Sequence, residues 1–126
     1  MKKAILPTLT MALLITAISE AIAQTRIRDL QPREDRIISI SGVVRRVVGN
    51  EFIIDDGTGQ IIVDSGPRWY REINLSEGER VTIVGEYDDY DFDAYRITRS
   101  NGQVIQIRNA EGPPPWAGDR GRRNRN

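Results

Sequence analysis

Ile37-Ile-Ser-Ile-Ser-Gly42-Val-Val-Arg-Arg-Val-Val48 decides the fold. β-Branched residues dominate it, as they do where side chains pack on a pleated, half-buried surface. Its 12 residues are about twice the usual strand length of 5 to 6. Gly42 stands in its middle, and a glycine inside a strand marks a bulge or a sharp bend. One strand is therefore expected to pair in two directions, as it must around a small barrel. Outward from it, Gly49-Asn50 turns into Glu51-Phe-Ile-Ile-Asp55, and Asp56-Gly-Thr-Gly59 turns into Gln60-Ile-Ile-Val-Asp64, which gives a three-stranded meander.

Ser65-Gly-Pro67 interrupts the pattern. Arg68-Trp-Tyr-Arg-Glu-Ile73 then predicts a short helix, with Pro67 suited to its first turn and Trp69 and Ile73 four apart on one face. After Ser76-Glu-Gly-Glu79, the alternation of Arg80-Val-Thr-Ile-Val-Gly-Glu-Tyr87 predicts a fourth strand. An acidic loop leads to a fifth, Ala94-Tyr-Arg-Ile-Thr-Arg99. Asn101-Gly102 signals a type I′ hairpin into Val104-Ile-Gln-Ile107. This element order predicts an all-β, five-stranded OB-fold Greek-key barrel over residues 37–108, with one short helix between strands 3 and 4 and an added C-terminal hairpin strand. An SH3-like barrel is the rival. Phe52, Ile54, Ile61, Val63, Trp69, Val81, Ile83 and Ile97 are expected to face the core.

The flanks read differently. Lys2 and Lys3, an apolar stretch over residues 4–18 and the small-x-small site Ala21-Ile-Ala23 make residues 1–23 a signal peptide. The apolar run is shorter than the roughly 20 residues of a bilayer span. Cleavage near Ala23 predicts a periplasmic or secreted chain. Residues 24–36 form a polar lead-in with a weak hint of one helical turn. Residues 109–126, with three consecutive prolines before Trp116 and four Arg after it, read as a Pro/Gly/Arg-rich disordered tail.

Composition closes off most chemistry. The 126 residues contain no Cys and no His, which removes disulfides, thiol nucleophiles, the commonest general base and the usual zinc ligands. Beyond residue 23 every one of the 16 basic residues is Arg, against 17 acidic residues. Charge is polarised along the chain: 9 Arg against 12 acids in residues 36–108, and 4 Arg against 1 Asp in residues 119–126. No enzyme activity, cofactor or metal is expected.

Ile40-Ser-Gly42-Val-Val, Phe52-Ile-Ile-Asp55-Asp-Gly-Thr-Gly59-Gln-Ile-Ile-Val63 and Val81-Thr-Ile-Val-Gly85 together resemble the bacterial OB-fold family of small exported stress-tolerance proteins. The resemblance covers about 70 residues, mostly strand and turn positions. It implies a periplasmic, non-enzymatic barrel that binds a small or non-nucleic-acid ligand in envelope stress. The Pro-rich segment and the Arg tail depart from the family pattern, and no family site residue carries over.

Asp89-Tyr-Asp-Phe-Asp93 begins like a calcium loop, but Ala94 stands where the turn glycine belongs and Ser100 where the closing glutamate belongs. A solvated loop is the simpler reading. In an OB barrel it joins strands 4 and 5 beside the usual binding face. Trp69, Tyr87, Asp88, Asp89, Tyr90, Asp91 and Asp93 are therefore the candidate ligand-binding rim for a small or cationic ligand or an envelope protein, on a chain expected to be monomeric. Phe92 would either join that rim or close the barrel end. Asp55, Asp56 and Asp64 present further carboxylates, which turn formation explains at the first two. The alternative is nucleic-acid or polyanion binding through the OB face and Arg120, Arg122, Arg123 and Arg125. A net acidic barrel with Phe52 as the one aromatic of strands 2 and 3 disfavours it.

Overall fold

The computed structural model describes residues 23–32 and 36–118. Six strands follow in order: β1 Ile38–Val48, β2 Glu51–Asp55, β3 Gln60–Asp64, β4 Arg80–Tyr87, β5 Phe92–Arg99 and β6 Val104–Gln106. The long β1 pairs antiparallel with β4 through residues 38–43 and with β2 through residues 43–48. The sheet order β3-β2-β1-β4-β5-β6 curls until β3 meets β5 in parallel, Val63 opposite Phe92 and Asp64 opposite Asp93. Five strands so close a mixed barrel, and β6 adds a strand beyond it: an all-β OB-fold.

Gly42 sits where β1 changes partner. A Cβ there would lie 2.6 Å from the Asp55 carbonyl oxygen, so the residue is set by close approach of the β2 backbone. The bulge itself comes three residues later, where Arg45 is skipped between the Val44 and Arg46 pairings. A second irregularity in β5 skips Tyr95 between the partners of Val84 and Gly85.

Alternation fills the barrel. Phe52, Ile54, Ile61, Val63, Val81, Ile83 and Ile97 are buried as expected, with Ile40, Val44 and Phe92 among them. Ile27, on a single 3-10 turn (Ile27–Asp29), plugs the barrel from the lead-in. That turn is pinned by the Asp56 carboxylate, which accepts the Ile27 N–H at 2.8 Å.

Two local expectations are corrected. The helix between β3 and β4 is only a turn, in which the N–H groups of Tyr70 and Arg71 both donate to the Pro67 carbonyl. The connection is instead held by Asn50, whose amide donates to the Gly66 and Arg71 carbonyls at 3.0 and 2.7 Å and accepts the Ile73 N–H at 2.9 Å. With its backbone groups satisfied from across the barrel end, the segment needs no helical ladder. Ile73 and Leu75 reach the core, and Trp69 does not: it is 51% exposed, with its ring edge-on to Tyr70. The second correction concerns Asn101-Gly102. Gly102 has φ +86° but Asn101 does not take positive φ. A type I′ turn needs both; the β5–β6 connection is a turn with one left-handed glycine.

Candidate functional site

The acidic loop and the β3–β5 seam meet at one end of the barrel. Within the loop, the Asp88 carboxylate accepts the N–H groups of Tyr90 and Asp91 at 3.3 and 3.2 Å, and the Asp88 N–H donates to the Asp91 carbonyl. Asp89 takes φ +86°, and its carbonyl accepts the Tyr87 hydroxyl. This tight loop delivers Asp91 and Asp93 to the seam, where Asp64 is waiting at the end of β3. One carboxylate oxygen from each of Asp64, Asp91 and Asp93 lies within 4.8 Å of the others.

Such crowding disfavours full ionisation. Burial first, then a hydrogen bond with Asp88 and repulsion from Asp93, Asp88 and Asp64, pushes Asp91 up to about 7. Burial, followed by repulsion from Asp88, Asp64 and Glu86, raises Asp93 to about 6, with Arg108 opposing. The Asp88 carboxyl moves the other way. Burial works to raise it, but hydrogen bonds from Asp91, Tyr90 and Asp93 outweigh burial and lower its carboxyl. The Asp64, Asp91 and Asp93 oxygens are a donor set that suits a hard cation, in competition with protonation of Asp91 and Asp93.

The expected rim is therefore assembled only in part. Asp88, Asp91 and Asp93 come together, Asp89 and Tyr90 point outward, and Tyr90 is 89% exposed. Phe92 belongs wholly to the core. Trp69 sits on the β3–β4 connection, where its ring stands edge-on to that of Tyr70 at 6.3 Å. Asp55 and Asp56 serve their turn, with Asp56 accepting the Thr58 and Gly59 N–H groups and the Thr58 hydroxyl. Arg120, Arg122, Arg123 and Arg125 lie outside the described residues.

Asp64 belongs to the site although the sequence grouped it elsewhere. It is in register with Glu51 on β2 as well as with Asp93 on β5. Facing partners on adjacent strands share a face, so Glu51, Asp64 and Asp93 form an acidic row across three strands. The row borders a cleft of about 680 Å³ lined by residues 48–51, Asp64, residues 66–68, Trp116 and Ala117. Trp116 reaches the cleft by folding back over the barrel. Its ring edge rests on Gly66, where an added Cβ would come within 3.0 Å, and its ring lies 5.9 Å from that of Tyr70. The Arg108 guanidinium sits 5.6 Å from the Tyr95 ring centroid and 5.8 Å from that of Trp116. A tryptophan behind three prolines was the one sequence signal for this wall.

The outer face of β2 and β3 is of another kind. Ile53 and Ile62 pair across it beside Val48 and Arg46, in a shallow groove of about 160 Å³. Phe52 borders the groove but is buried, so among the described residues it offers a base little ring face to stack on. Among the described residues no helix is long and apolar enough to cross a membrane.

No protein-family model and no curated protein matches the chain. Among solved structures, it is similar to the hypothetical protein ygiW from E. coli (21% identity, 61% of this chain and 89% of that one, TM-score 0.48). It is also similar to the telomere capping protein Ten1 from Saccharomyces pombe (18% identity, 56% and 71% of the two chains, TM-score 0.47). A chain of the S. pombe Stn1-ten1 complex matches at 19% identity over 56% and 68%, with a TM-score of 0.45.

Proposed function

We propose that the chain is an exported, monomeric, non-enzymatic OB-fold binding module that serves envelope stress tolerance and takes a small cationic ligand or a basic region of an envelope protein at the barrel rim. The observation that carries the reading is the convergence of Asp64, Asp91 and Asp93, whose oxygens lie within 4.8 Å. Mutual repulsion there is relieved by a bound cation as well as by a proton. Export is supported by the charged start, short apolar run and small-x-small site of residues 1–23. Stress tolerance rests on the sequence resemblance alone. Absence of His and Cys from the chain favours binding over catalysis.

The test is to express the whole reading frame in a bacterial host, recover the exported fraction, and titrate it by two-dimensional amide NMR with spermidine and with calcium. An intact mass starting at Gln24 and shifts at Asp64 and residues 87–93 are expected. Retention of the unprocessed chain in the cytoplasm overturns export. Single-stranded DNA that moves residues 52–63 at physiological salt, with no response to cations, overturns the choice of ligand.

A further inference from the structure

We propose that the cleft between Glu51, Asp64 and Trp116 is a receptor for an organic cation, an alkylammonium or guanidinium group whose alkyl stem lies along the indole. This deepens the binding-module reading and rests on it, but it moves the ligand from the acidic loop to a cavity that the loop does not line.

The cavity, of about 680 Å³, has apolar walls from Val48, Pro67, Trp116 and Ala117. Its polar groups divide into those already engaged and those left over. Asn50 uses both amide hydrogens and its oxygen on the Gly66 and Arg71 carbonyls and the Ile73 N–H. Arg68 is paired with Glu72 at 3.0 Å. Asp64 spends one oxygen on the Gly66 N–H at 2.8 Å. The Glu51 carboxylate makes no hydrogen bond or ion pair among the described residues. The carboxylate of Glu51 and the second oxygen of Asp64 remain for a ligand, two negative groups against the one guanidinium of Arg68, which Glu72 holds.

Those two residues stand directly opposite each other on β2 and β3. Like charges at facing positions repel, and a cation between them converts that repulsion into two attractions. A small inorganic ion would satisfy the carboxylates but leave the apolar walls in water. An ammonium or guanidinium on an alkyl stem satisfies both, because its methylene groups bury against apolar surface while its head stays among the acids. The Arg108 guanidinium already lies 5.8 Å from the Trp116 ring centroid, so the indole offers its surface to the apolar stem and the charged head belongs with the acids. The same geometry is available to a free amine and to an Arg or Lys side chain of a peptide.

Agmatine, acetyl-Gly-Arg-Gly-amide and the uncharged analogue butylurea distinguish these cases, each titrated into the processed chain with tryptophan fluorescence and amide NMR as readouts. Agmatine or the peptide should perturb Glu51, Asp64 and the Trp116 indole N–H, and butylurea should not. Tighter binding of agmatine identifies a free amine as the source, and tighter binding of the peptide identifies a side chain. E51Q, on an exposed side chain, should weaken binding about threefold, and W116A about tenfold. If W116A proves unfolded by NMR dispersion, E51Q alone decides. The inference is overturned if butylurea binds as well as agmatine, or if agmatine binds wild type and E51Q equally. Agmatine shifts confined to residues 87–93 overturn the cleft and leave the rim reading standing, whereas no response to any cation overturns both.

Discussion

Asp64 and Asp93 face each other across the parallel β3–β5 seam, one of only two residue pairs that join those strands. The barrel is closed at its shortest seam by a pair of like charges. Antiparallel neighbours elsewhere have five or more facing pairs in β1–β2, β1–β4, β2–β3 and β4–β5. Closure thus has the fewest facing pairs in the barrel, and one of its two is a pair of like charges.

Removing one of those charges should stabilise the protein. Asp93→Asn keeps the shape, and its amide can donate to the Asp64 carboxylate. The expected gain is about 1 kcal/mol at pH 8, read as a higher urea midpoint, and it should shrink towards pH 5, where Asp93 itself is protonated. A loss of stability at pH 8 would show that the charge is compensated.

Stability should pass through a maximum between about pH 4 and 5. Asp91 and Asp93 are raised to about 7 and about 6, well above an unfolded carboxyl near about 4. The folded state therefore holds protons that the unfolded state has lost, and their contribution is present below about pH 4 and lost as pH rises through 6 and 7. Asp55, Asp56, Glu79 and Asp88 are lowered instead. Their contribution is present above the unfolded value and lost as pH falls through their folded values. Urea midpoints at pH 8, 6.5, 5 and 3.5 test the shape; a monotonic rise to pH 8 would contradict the seam electrostatics.

Gly42→Ala should cost about 2 to 3 kcal/mol, because a methyl group 2.6 Å from the Asp55 carbonyl forces β2 away from β1. Hydrogen exchange should quicken first in residues 43–55. An unchanged urea midpoint would mean that the bulge at Arg45 absorbs the displacement.

Asn50 offers a sharper contrast between two substitutions. It is buried and makes three side-chain hydrogen bonds to the β3–β4 connection. Asn50→Ala should cost about 3 kcal/mol through unsatisfied backbone groups. Asn50→Asp, which aims carboxylate oxygens at the Gly66 and Arg71 carbonyls, should cost more at pH 8 than at pH 4. Equal losses at both values would place the stabilisation in packing instead.

Much of the barrel was legible because its signals are local. Glu51-Phe-Ile-Ile-Asp55 and Gln60-Ile-Ile-Val-Asp64 alternate between turn residues, and both strands run where the pattern put them. The short helix misled for a physical reason: the Trp69 and Ile73 spacing fits one helix face, but the side chain that organises the segment, Asn50, comes from a turn 15 or more residues earlier. The site was half legible. Asp88, Asp91 and Asp93 are neighbours in sequence, whereas their convergence with Asp64 depends on where β3 meets β5, a register that no local pattern states. Trp116 was hidden by a composition that resembles a linker.

Trp116 stands beyond the last strand, and among the described residues no backbone hydrogen bond ties residues 109–118 to a strand, yet it walls the cleft whose floor the barrel provides. The cleft is consequently assembled from two stretches of chain, Glu51 and Asp64 on the barrel strands and Trp116 beyond them. Substitutions after residue 108 reshape one wall of the cleft, and because Trp116 also packs against the core and on Gly66, the barrel feels them as well.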